Sequence, residues 1–178
     1  MKKTVIMVCA FVAALGAHGC QRENKQQQQM NYVAAPMPAL SPKQIDQLQA
    51  AAKAAPKNPQ AWIELGNTLM DSQRFGEAVE AYQKALAIDP RNVPVLVDQG
   101  TCYRGIGKFD KAVEQYRKAI KIDPDFPNGH RNLGVVLGFD LNKKTEAIKE
   151  FTRYLELAPN GPDADSIRQA MRELSAKK

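Results

Sequence analysis

The chain has 178 residues, 44% of them hydrophobic, and a formal net charge of +6. That is enough for one domain with a continuous core, and too small a positive excess to point to nucleic acid or anionic lipid as the partner. Of its two histidines and three cysteines, His18, Cys9 and Cys20 fall near the N-terminus. His130 and Cys102 are then all that remain for a histidine-based metal site, a Ser–His pair or a disulfide.

At the N-terminus, Lys2 and Lys3 precede an apolar run over residues 5–15, and a small-residue stretch ends at Gly19-Cys20. This is the order of an export signal, and the run is too short for a transmembrane helix, which needs about 20 residues. A cysteine at the first processed position resembles a bacterial lipoprotein signal. The resemblance implies cleavage after residue 19, a thioether-linked diacylglycerol on Cys20 and acylation, palmitate included, of its amine. Gly19 fits that pattern; Ala17 stands where leucine is usual, and the alternative is an ordinary secretory signal. With Gln21 in place of the aspartate that retains many such proteins in the inner membrane, the resemblance favours the outer membrane, with the domain in the periplasm of the cell envelope. Residues 20–41 are polar, with a Gln26–Gln29 run, Pro36 and Pro38. They read as a lipid-anchored flexible linker spanning about 25 Å.

From residue 59 onward one pattern occurs three times at a 34-residue spacing. Trp62, Leu65, Gly66 and Leu69 are followed by Ala78, Tyr82, Ala85 and Pro90. The second copy reads Leu96, Gln99, Gly100, Tyr103, Ala112, Tyr116, Ala119 and Pro124. The third reads His130, Leu133, Gly134 and Leu137, then, after one inserted residue expected in the turn around 140–144, Ala147, Phe151, Tyr154 and Pro159. Large residues at helical spacing mark two amphipathic helices per copy, small ones let them approach, and the prolines end each second helix. Phe75 and Phe109 fall at the inter-helix turns, where they can plug the end of each pair.

The pattern resembles the tetratricopeptide repeat (TPR), a helix–turn–helix unit that stacks into a solenoid. The resemblance implies an all-α, right-handed superhelical TPR solenoid of three repeats, over 59–92, 93–126 and 127–161. Ser41 and Pro42 suit a helix start, so 42–58 is expected to hold an N-terminal half-repeat helix that caps the stack. Ile167, Ala170, Met171 and Leu174 repeat first-helix spacing within 162–178, the expected C-terminal capping helix.

Reactive chemistry is sparse. Gly105-Ile106-Gly107 lacks the third glycine of a phosphate loop, Asp110 standing in its place, and it falls in a helix–helix turn. His130 occupies the position of Trp62 and Leu96, which suits a packed histidine; contact with a ligand is the other reading. Cys102 reads as a buried, inert thiol. Lys108, Lys111, Arg117, Lys118 and Lys121 read as a solvated convex face with Glu114 at ion-pair spacing. No catalytic, metal or cofactor site is expected, and the chain reads as a non-enzyme.

In the TPR family first helices line the concave surface and hold peptide or protein ligands. The resemblance places Asn67, Met70, Asp71, Asp98, Thr101, Arg104, Asn128, Arg131, Asn132 and Val135 in that groove. Asn67 and Asn132 can bond a peptide backbone; Arg104 and Arg131 can grip carboxylates; Asp98 would attract a basic group. The carboxylate clamp of chaperone-binding TPR domains needs a lysine where Ile63 stands, and an asparagine and a basic residue where Asp98 and Asn132 stand, so only Asn67 fits. The expected function is a non-catalytic adaptor or scaffold tethered in the bacterial envelope. The alternative is an assembly or chaperone factor similar to the periplasmic TPR domains of cytochrome c maturation.

Overall fold

Capping and proline chemistry set the helix boundaries in the computed structural model, which describes residues 42–176. The expected leader (1–19), linker (20–41) and lipidation site Cys20 lie outside the described residues. In chain order the helices are α1 (Pro42–Ala54), α2 (Pro59–Asp71), α3 (Phe75–Ile88), α4 (Val93–Gly105), α5 (Phe109–Ile122), α6 (Pro127–Val135), α7 (Lys144–Leu157) and α8 (Ala164–Ala176). No strand occurs among the described residues, and no helix there is long and apolar enough to cross a membrane.

The side chain of Asn58 accepts from the Gln60 amide at 3.0 Å, and that of Asn92 from the Val95 amide at 3.2 Å. Pro59, Pro94 and Pro127 occupy the first turns of α2, α4 and α6, where a missing N–H forfeits no helical bond. Helices α3, α5 and α7 stop two residues before Pro90, Pro124 and Pro159, as the sequence predicts. Within each hairpin the chain reverses through one left-handed residue: Gln73 (φ 58°), Gly107 (φ 73°) and Asn142 (φ 54°). In the first two hairpins a Schellman closure follows, with Arg74 N–H on the Leu69 carbonyl and Lys108 N–H on that of Tyr103.

The third hairpin differs from expectation in where it holds its inserted residue. Helix α6 runs on into a π turn (Val136–Asp140), and Lys143 N–H reaches back six residues to the Leu137 carbonyl instead of five. Packing explains this. Leu137 and Gly138 are buried, and a Cβ on Gly138 would meet Leu174 at 2.9 Å and Ala147 at 3.0 Å. The helix keeps those residues in register with the core, and the surplus bulges outward before the turn, leaving Phe139 50% exposed.

Each hairpin closes on a small-against-large contact. A Cβ on Gly66, Gly100 or Gly134 would come within 2.6, 2.5 or 2.6 Å of the rings of Tyr82, Tyr116 and Phe151, all fully buried. Phe75 does the same across hairpins: its ring lies 2.7 Å from where a Gly105 Cβ would be, so it seals the end of the next first helix. Each second helix packs on the following first helix, and α2 touches α4 as α4 touches α6. Successive second helices stay farther apart, so the stack curves with α2, α4 and α6 on its inner side. Helix α1 covers α2 at one end, and α8 covers α7 at the other with Ile167 and Leu174 buried.

Candidate interaction groove

Because the hairpins repeat, the inner face repeats too. Asn67, Thr101 and Val135 occupy one register position on α2, α4 and α6; Glu64, Asp98 and Asn132 occupy another. The floor beneath them is built by the second-helix aromatics. Tyr82 Oη donates to Asn67 Oδ1 at 2.8 Å, and Tyr116 Oη lies 3.2 Å from Thr101 Oγ1. In the third hairpin the corresponding pair is Phe151 and Val135, with no hydroxyl between them. The floor thus changes from hydrogen-bonded to apolar along the stack.

Five of the ten groove residues expected from sequence, Thr101, Arg104, Arg131, Asn132 and Val135, converge on one cavity of about 280 Å³. Tyr116 from α5, Asp163 from the loop before α8, and Ser166 and Ile167 from α8 complete its walls. Asn67, Met70, Asp71 and Asp98 lie on the α2–α4 part of the same face, outside the cavity. Asn128 is exposed at the start of α6, also outside it.

The arginines are not free. Arg104 Nε bonds Asp140 Oδ2, with Nη2 3.3 Å from Oδ1, and Arg131 Nη1 bonds Asp163 Oδ2. Arg131 Nε also donates to Asn132 Oδ1 at 3.0 Å. Both side chains offered by sequence for a partner's carboxylate therefore hold carboxylates of their own chain, which a partner would have to displace. Asp140 and Asp163 are the residues sequence reasoning missed. Each pairs across elements, 36 and 32 residues from its arginine, with no local spacing to announce it.

The acids behave differently. Burial pushes the Asp98 carboxyl up to about 6, with Asp71 adding to the effect. Burial likewise raises the Tyr82 phenol, Asp98 contributing next, and takes the Cys102 thiol up to about 12. Cys102 is fully buried, as expected. Among the described residues, no cation forms an ion pair with Glu64, Asp71 or Asp98.

His130 is a packing residue. It is 6% exposed, its Nε2 lies 2.9 Å from the Pro124 carbonyl, and its Nδ1 lies 2.7 Å from Glu150 Oε2. Trp62, its register equivalent, donates Nε1–H to the Pro56 carbonyl at 3.2 Å, the same six residues back. A carbonyl can only accept, so Nε2 is the nitrogen that donates to Pro124. Gln99, the misfit of the second copy, is buried and donates to the Val79 carbonyl at 3.3 Å. On α5 the basic stretch is a solvated outer face: Lys118 pairs with Glu114 at 2.7 Å and Arg117 with Glu146 at 3.2 Å.

Comparison with known proteins agrees with this architecture. Residues 59–92 and 81–114 each match a family model described as a tetratricopeptide repeat, and 100–138 match a TPR repeat model. No curated protein matches the chain in sequence. Among solved structures, the crystal structure of MamA is similar at 22% identity and TM-score 0.66, over 75% of this chain and 81% of that one. The Arabidopsis OM64 TPR domain gives 21% and 0.61, over 65% and 94%. The first TPR of Spaghetti (RPAP3), solved with the HSP90 peptide SRMEEVD, gives 26% and 0.61, over 66% and 94%. Residues 59–138 are therefore matched as tetratricopeptide repeats, and the helices fold as a TPR solenoid.

Proposed function

We propose that this chain is a non-catalytic adaptor that holds an extended segment of a partner protein in its concave groove, tethered in the bacterial envelope through lipid on Cys20. The observation that carries the reading is the convergence of Thr101, Arg104, Arg131, Asn132 and Val135 on one cavity of the inner face. The inner helices present polar side chains above a floor of buried aromatics, which suits an extended backbone laid across several hairpins. Peptide binding by the Spaghetti domain, a neighbour in fold, supports a peptide-binding role. An assembly factor would be a special case, its occupant an unfolded client chain.

The test is crosslinking in cells from a photoreactive residue at Asn132, with Glu114 on the outer face as the control position. The reading expects a discrete adduct from position 132 that vanishes with Val135→Arg and is missing from position 114. Equal adducts from both positions would contradict it. The tether is tested separately: Cys20→Ala should move the protein from the membrane to the soluble fraction, and unchanged membrane association would refute lipid attachment there.

A further inference from the structure

We infer that the groove selects a cationic segment of its partner, with an uncharged apolar side chain of that segment seated over Val135 and Ile167. This rests on the groove being the docking surface proposed above and adds the chemistry of its occupant. The molecule as a whole is positive, at +6, yet its inner face is not. Arg104 and Arg131, the cations contributed by α4 and α6, are each neutralised by Asp140 and Asp163. Glu64, Asp71 and Asp98 have no such partner among the described residues.

Screening makes the local balance decide, because charges more than about 8–10 Å away count little at physiological salt. An approaching side chain meets three unpaired carboxylates on α2 and α4 and two compensated arginines beyond them. Asp98 is half-buried and close enough to Asp71 to be repelled by it. An ammonium or guanidinium held between the two relieves that repulsion, whereas an acidic ligand compounds it. At the other end Val135 and Phe151 bring no hydroxyl to the floor, and the Thr101 and Tyr116 hydroxyls beside them are paired with each other. Ile167 closes the wall next to Ser166, and the charges of Arg104 and Arg131 are already matched. That environment favours an apolar group and gives a carboxylate no unspent cation. The preference is opposite in sign to the acidic peptide bound by the Spaghetti domain.

Three fluorescein-labelled dodecapeptides test this, sharing two central leucines and carrying three lysines, three glutamates or three glutamines. Anisotropy titration of the full chain is expected to give at least tenfold tighter binding of the lysine probe than of the glutamate probe. Asp71→Asn with Asp98→Asn should abolish most of that difference without loss of helical circular dichroism. Asp140→Asn with Asp163→Asn, which releases both arginines, should instead improve the glutamate probe several-fold. Tighter binding of the glutamate probe by the unaltered chain overturns the charge preference and leaves the groove reading standing. Failure of all three probes to bind counts against the groove itself.

Discussion

At the scale of single residues, the groove retains a carboxylate where the fold would be better without its charge. Asp98 is raised to about 6 from an ordinary value near 4, so the folded state holds its proton more tightly than the unfolded chain does. Its contribution to stability is therefore complete below pH 4 and is lost as pH rises through about 6. Asp98→Asn is expected to stabilise the protein at pH 7.5 by about 1 kcal/mol, less than the full linkage value because the carboxylate stays partly open to water. Urea unfolding at pH 7.5 and pH 4 should show the gain at the higher pH only; an equal gain at both would remove the electrostatic explanation. Gln73 is a second local compromise, an L-residue in the left-handed region at φ 58° where the next hairpin has Gly107. Gln73→Gly should stabilise by about 1 kcal/mol, read from the same urea midpoint.

At the scale of the helix pair, two glycines should respond to alanine with opposite signs. At Gly100 a Cβ would lie 2.5 Å from the buried Tyr116 ring, so Gly100→Ala is expected to destabilise by about 2 kcal/mol. At Gly76, on α3, nothing lies within 4 Å, and the same change should stabilise by about 0.5 kcal/mol through helix propensity alone. Denaturation of both variants checks the pair, and matching signs would mean that propensity, not packing, governs these positions. Such hairpins were legible in the sequence because their rules are local: glycine faces an aromatic sixteen residues on, seventeen in the third hairpin with its insertion, and proline follows each second helix. Glu64 stands one repeat before Asp98, in the same register position. The π turn was not, since an insertion between Leu137 and Ala147 fits either the helix end or the turn until the burial of Gly138 against α7 and α8 decides. The pairing of Arg104 with Asp140 and Arg131 with Asp163 was hidden for a related reason. It depends on how one hairpin is set against the next, which the repeat pattern leaves open.

At the scale of the whole molecule, the repeats turn a modest set of side chains into a continuous inner surface, with buried packing behind it and a solvated basic face outside. That inner surface is where a partner is proposed to lie. Amide chemical-shift mapping of the full chain with the lysine probe tests it most directly. The expected result is a set of perturbed amides running along α2, α4 and α6, centred on Asn67, Asp98, Thr101, Asn132 and Val135, while Glu114 and Lys118 on α5 stay still. Perturbations concentrated on α3, α5 and α7, with the inner helices unmoved, would contradict it.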